Sequence, residues 1–187
     1  MKKGVRRMVV ASMAALCALG ASFSTSAYEL NPEVKDVTPA LREASTVGVW
    51  TSENPAMKNA LNKDAILVMT FGTTFKDTRA KTIDAVEKAI QEANPGVPVY
   101  EAYTSHIIID RVKAKEGIQK LTPEEAFAKL KADGYTRVAV VSLDVIPGME
   151  YSYDSIITKM QANNFKKLLL QCLLCISRAP KVNQIRS

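Results

Sequence analysis

Histidine is almost missing from this 187-residue chain, which has only His106. With a single histidine, no Ser/His/Asp or Cys/His nucleophile arrangement is credible, and a four-ligand zinc site within one chain would need carboxylates to complete it. Cysteine is scarce too, at three residues. Cys17 lies in the apolar N-terminal stretch, while Cys172 and Cys175 form "CLLC". That spacing suits a redox pair or half a zinc site, but there is no second pair, and no histidine follows it, which excludes c-type haem attachment. We read it as a chance pair in an apolar stretch, with an adventitious disulfide as the alternative. Glycine-rich phosphate fingerprints are absent: neither the Walker loop nor the dinucleotide pattern occurs.

Basic residues outnumber acidic ones, 25 to 19, yet the excess sits at the two ends. Setting aside Lys2, Lys3, Arg6 and Arg7 with Arg178, Lys181 and Arg186 leaves 18 basic against the same 19 acidic residues, since neither end carries an acid. A near-neutral body gives no nucleic-acid footprint. At the start, "MKKGVRR" is a basic region, "MVVASMAALCALGASF" is apolar, and Thr25 and Ala27 are the small residues before a cut at Tyr28. Residues 1–27 therefore read as a signal peptide and the protein as exported, with a periplasmic location and no stable membrane anchor after cleavage. An uncleaved anchor is the competing reading, but the apolar run falls short of the about 20 residues a span needs. The large Leu16 before Cys17 argues against lipidation.

Residues 28–63 are polar, hold three prolines and show no sustained period, so they read as an extension packed loosely on a domain, with a short helix near Ala56–Asn62. Trp50, the only tryptophan, is expected to anchor that extension. From Asp64 onward, strand and helix alternate. "AILVMTF", "VPVYEAYT", "TRVAVVSL" and "FKKLLLQ" read as buried strands. Between them lie "DTRAKTIDAVEKAIQEAN", one helix with Asp77 as N-cap, then "SHIIIDRVKAKEG", "LTPEEAFAKLKADG" and "EYSYDSIITKMQAN". The third carries Thr122 as N-cap, Pro123 at the first turn, Glu125 for a capping box and Gly134 as the stop. This order predicts an α/β fold of three layers, a parallel sheet with helices on both faces. Ligands of such sheets bind outside the carboxyl ends of the strands, which singles out three loops.

The first loop, "FGTTFKDT", offers Gly72, Thr73 and Thr74 and the start of a helix, a place to receive phosphate or carboxylate; the same residues also suit a turn used for geometry alone. The second opens with His106, either a ligand or an exposed residue at a helix start. The third, "DVIPGMEY", separates Asp144 and Glu150 by five residues that include Pro147 and Gly148, so both acids can face one cleft as general base or cation ligands. Alternatively, Asp144 accepts backbone N–H groups and Glu150 caps the helix that follows.

Together "ILVMTFGTTFKDTRAKTIDAVEKAI", "YEAYTSHIII" and "LTPEEAFAKLKADGYTRVAVVSLDVIPGMEY" resemble the N-terminal half of the anaerobic sirohydrochlorin cobaltochelatases, which have the class II chelatase fold. The resemblance runs over about residues 64–170, one of the two domains usual in that family. It implies a chelatase that inserts Co2+, with Fe2+ as a second metal substrate, into sirohydrochlorin on the route to cobalamin, with no prosthetic group. It implies that Glu150, the acid of "G-x-E-Y", assists metal delivery or proton removal, and that Gly72, Thr73 and Thr74 face the substrate carboxylates. Where relatives commonly carry histidine in "S-L-H", this chain has Asp144, so the metal ligands to consider are Glu150, Asp144 and His106. The family's metal-binding histidines belong to a second domain. After Leu170 the resemblance stops, and residues 171–187 read as an aberrant tail from a shifted frame or mis-called gene end, which sequencing the locus would decide. A homo-oligomer of half-domains and a non-catalytic exported tetrapyrrole- or metal-binding protein are the alternative readings.

Overall fold

The computed structural model describes residues 38–39, 49–144 and 148–172. The signal-peptide reading of residues 1–27, most of the extension and the tail beyond Cys172, including Cys175, lie outside the described residues. Five strands form one sheet: β1 (Val49–Glu53), β2 (Asp64–Thr70), β3 (Val99–Tyr103), β4 (Arg137–Ser142) and β5 (Lys167–Cys172), in the order β1-β5-β4-β2-β3. The helices are α1 (Lys76–Lys81), α2 (Ile83–Ala93), α3 (His106–Glu116), α4 (Pro123–Ala132) and α5 (Met149–Met160). None of them is long and apolar enough to cross a membrane.

Strands β2 to β5 are parallel, as helix crossovers require. Alternation along β2 and β4 then sorts two cores. Leu67, Met69, Val140 and Leu170 face α4 and α5 through Phe127, Leu130 and Ile157, whereas Ile66, Val68 and Val141 face α2 through Ile90. Residues such as Leu67 and Val68 are fully buried on opposite faces of one strand, which explains why these strands read as unbroken apolar runs. Phe127 and Phe165 meet at a ring-centroid distance of 5.9 Å in the first core.

Three expectations are corrected. The extension is not merely loose: its Val49–Glu53 segment is an antiparallel edge strand, with Trp50 opposite Leu170 and packed on the first core. The strand is tied at its end by the Asn54 N–H to the Lys166 carbonyl at 3.0 Å and by Asn54 Nδ2 to the Asn163 carbonyl at 2.8 Å. The sheet is therefore parallel with one antiparallel edge, and its first strand precedes residue 64; the turn at Pro55–Met57 is a single 3-10 turn. Second, the long helix after β2 is broken at Thr82, whose φ of −118° and ψ of −81° leave the helical region. Its hydroxyl donates back to the Thr78 carbonyl at 2.7 Å, a local bond that competes with the helical ladder. Phe75, not Asp77, is the N-cap, and Asp77 lies in the first turn. Third, the boundary at Leu170 falls inside β5, which continues through Gln171 and Cys172. The capping box at Thr122 forms as expected, with Thr122 Oγ1 accepting from the Glu125 N–H and Glu125 Oε2 accepting from the Thr122 N–H.

Candidate functional site

The order in which strands are added reverses between the two central, parallel strands: β2 leads to β3 on one side, and β4 leads to β5 on the other. A crevice opens at such a switch point, between the loops leaving β2 and β4. The Leu143 N–H donates to the Met69 carbonyl at 2.8 Å and the Thr104 N–H to the Thr70 carbonyl at 2.9 Å, so the three loops leave one common rim.

The β2 loop is shaped by its own hydroxyls. Thr70 Oγ1 accepts from the Gly72 N–H at 3.3 Å, and Thr73 Oγ1 accepts from the Phe75 N–H at 3.2 Å. Gly72 has φ 87°, and a Cβ there would stand 2.4 Å from Cδ2 of the buried Tyr103 ring, so only glycine lets the loop lie on that ring. Thr73 thus serves the geometry of the turn. The backbone N–H groups of Thr73 and Thr74 and the Thr74 hydroxyl have no partner among the described residues.

Three helices begin at this rim with no side-chain cap: α1 after Phe75, α3 after Ser105 and α5 after Gly148. Their first N–H groups and dipole ends are therefore open to an anion. His106 is the first residue of α3 and is exposed. Glu150 lies in the first turn of α5, exposed, and does not cap it. Exposed apolar side chains, Phe71, Phe75, Ile107 and Met149, stand on the same loops and helix starts.

Asp144 takes a different direction from Glu150. It is half-buried at the end of β4, its N–H donates to Ser142 Oγ at 3.2 Å, and its carbonyl accepts from Cys172 Sγ at 3.6 Å. Its carboxyl is raised above the usual range by burial first, with Asp154 and the Phe71 backbone opposing and Glu150 adding. Asp154, fully buried on the inner face of α5, was not foreseen. Neither of its carboxyl oxygens makes a hydrogen bond of ordinary geometry among the described residues, although Ser142 and Asp144 lie near enough to act on it; its proton affinity is pushed up to about 8 by burial first, with the Ser142 hydroxyl opposing and Asp144 adding. Its spacing was the available signal. Asp154, Ile157 and Thr158 stand at i, i+3 and i+4, so the face that buries Ile157 buries the acid too. The structure accordingly brings Asp144 to Asp154, leaves Glu150 outside on the rim, and sets His106 on a separate helix start.

The opposite end of the sheet holds a shallow concavity lined by Asp64, Val97, Arg137 and Lys167, among others. Its charges are mutually satisfied, Arg137 doubly bonded to Asp64 at 2.5 Å and Lys167 paired with Glu53 at 2.5 Å, so it offers little to a ligand.

Sequence comparison gives this geometry a context. The family model described as cobalt chelatase (CbiK) matches residues 64–178, eight residues past the point where the resemblance was expected to stop. The chain is similar to the sirohydrochlorin cobaltochelatase of Salmonella typhimurium, 42% identical over 89 residues, covering 48% of this chain and 34% of the relative. It is also similar to the sirohydrochlorin cobaltochelatase CbiKC of Nitratidesulfovibrio vulgaris, 35% identical over 106 residues, covering 56% of this chain and 36% of the relative. The matches span about a third of the length of either relative.

Proposed function

The chain belongs to the cobalt chelatase (CbiK) family, and from that premise we propose that it supplies one wall of a cleft that inserts Co2+ into sirohydrochlorin. The single observation that carries the reading is the rim itself: unpartnered N–H groups at Thr73 and Thr74, uncapped helix starts and exposed Phe71, Phe75 and Met149 at one switch point. A flat macrocycle edged with carboxylates needs that pairing, apolar surface for the ring and N–H donors for the acid groups.

In this reading the substrate carboxylates are received by the Gly72–Thr74 loop, whose Thr73 and Thr74 amides have no partner among the described residues. Glu150 is the exposed acid that accepts a pyrrole N–H proton or hands over the metal. Burial costs a carboxylate its charge, so the exposed Glu150 is better suited to either role than the buried Asp144–Asp154 pair. His106 is the only imidazole that can add a nitrogen ligand, and Co2+ or Fe2+ accepts nitrogen and oxygen together. The metal is substrate, not a resident cofactor.

The test is metallation. Purified chain mixed with sirohydrochlorin and Co2+ should perturb the absorbance of the macrocycle on binding, and Glu150→Gln should leave that binding in place while slowing metallation at least tenfold. No binding of sirohydrochlorin by the native chain would refute the reading. Binding without metallation, unaffected by Glu150→Gln, would support the alternative of a non-catalytic tetrapyrrole- or metal-binding protein, which the single histidine favours. The same preparation run on a sizing column at several concentrations would reveal the homo-oligomer. Export rests on the pattern of residues 1–27, and N-terminal sequencing of protein from a periplasmic fraction should begin at Tyr28.

A further inference from the structure

Behind the Gly72 loop, on the sheet face covered by α2, three carboxylates converge. Asp84 and Glu87 stand one turn apart on α2 and Glu101 projects from β3, with one oxygen of each within 4.8 Å of the other two. This is not an ordinary solvated face: Glu87 Oε1 and Glu101 Oε1 are buried and have no hydrogen-bond partner. The Tyr103 side chain, which is fully buried, makes the second and independent point. Its hydroxyl also lacks a partner, and its electrostatic neighbours are Glu101, Arg79, Asp84 and Glu87. A buried tyrosine hydroxyl and two buried carboxylate oxygens among mutually close acids are costly to leave unpartnered unless a cation, or a proton shared between Glu87 and Glu101, fills the gap.

Side-chain cations do not fill the gap. Lys120 pairs with the other oxygen of Glu101, Oε2, and lies 5.0 Å from the Tyr103 ring centroid. Arg79 gives both terminal nitrogens to Glu116 and approaches Asp84 only to 4.0 Å. From this geometry we propose that Asp84, Glu87 and Glu101, with the Tyr103 hydroxyl at their inner side, bind one divalent cation that prefers oxygen ligands. One oxygen of each acid lies within 4.8 Å of the other two, close enough for one oxygen-ligated divalent cation such as Ca2+ to touch all three.

Filling the site would clamp α2 to the edge strand β3 and hold Tyr103, the ring on which Gly72 rests, so the cation would stiffen the floor of the rim loop.

The full chain is first stripped with chelator and then melted with Ca2+, Mg2+ or Co2+ chloride. Ca2+ at a hundredfold excess over its Kd should raise Tm by roughly 5–10 °C. Calorimetry should give one ion per chain. Asp84→Asn, at an exposed position that tolerates the change, and Glu87→Gln should each weaken binding at least tenfold, and Glu150→Gln should not. No rise in Tm with any of the three ions would overturn the proposal. So would a rise that survives the Asp84→Asn/Glu87→Gln double variant, or one that Glu150→Gln abolishes, which would place the ion in the cleft. The outcome is independent of sirohydrochlorin metallation.

Discussion

The two ends of the parallel sheet are built on opposite principles. At the amino end, polar groups are matched: Arg137 with Asp64, Lys167 with Glu53, and the Lys63 N–H with Thr136 Oγ1 at 3.0 Å. At the carboxyl end, α1, α3 and α5 start without side-chain caps, the N–H groups of Thr73 and Thr74 have no partner among the described residues, and Asp154 is buried with no hydrogen bond of ordinary geometry among them. By contrast, α4 carries a full capping box. One end is satisfied internally. The other leaves donors open at one rim, and that difference supports the proposed cleft more than any single residue does.

Breaking the carboxyl end at its tightest point should have the largest effect. Gly72→Ala meets both a positive φ and a 2.4 Å approach to Tyr103, and is expected to cost about 2–4 kcal/mol in urea unfolding and to abolish sirohydrochlorin binding. Replacing the unpartnered acid should act in the opposite direction. Asp154→Asn is expected to raise stability at pH 8 by about 1–3 kcal/mol. The sign follows from the proton: folded Asp154 holds its proton up to about 8, whereas unfolded Asp releases it near 4, so native stability falls as pH rises between those values. Urea midpoints measured from pH 4 to pH 8 should fall steeply in the native protein and less steeply in Asp154→Asn. A milder change follows at the capped helix, where Thr122→Ala should lower stability by about 1 kcal/mol without touching ligand binding. Smallest in stability is Glu150→Gln, within about 0.5 kcal/mol because the side chain is exposed, although its effect on metallation is the one that matters. If the amino end were the functional one, Asp64→Asn would impair binding; it should cost stability alone.

Much of this was legible from residue order. The runs "AILVMTF" and "TRVAVVSL" announced strands buried on both faces, because any strand covered by helices on each side must be apolar throughout. Thr122, Pro123 and Glu125 announced a helix start because each satisfies a local requirement of the first turn. Glu150 and the Gly72–Thr74 loop could be placed at the rim from topology alone. Asp154 could not, since its hydrogen-bonding fate depends on Asp144 and Ser142 at the end of a different element. The pairing of Arg137 with Asp64 spans 73 residues and carries no local sign. Strand β1 was hidden for the same reason: "VWTSE" lies among prolines and polar residues, and it becomes a strand only because β5 presents an edge.

The sequence alone determined the alternation of strands and helices, the family, and which three loops share the carboxyl rim, because all of these follow from local periodicity, turn chemistry and the parallel order they impose. Tertiary structure decided what those residues do once neighbours are supplied. It turned Asp144 inward to Asp154 and left Glu150 in solvent. It set Tyr103 beneath Gly72, gathered Asp84, Glu87 and Glu101 around one point, and paired Glu53 with Lys167 across 114 residues. Burial and charge depend on contacts between distant segments, and only the folded chain creates them.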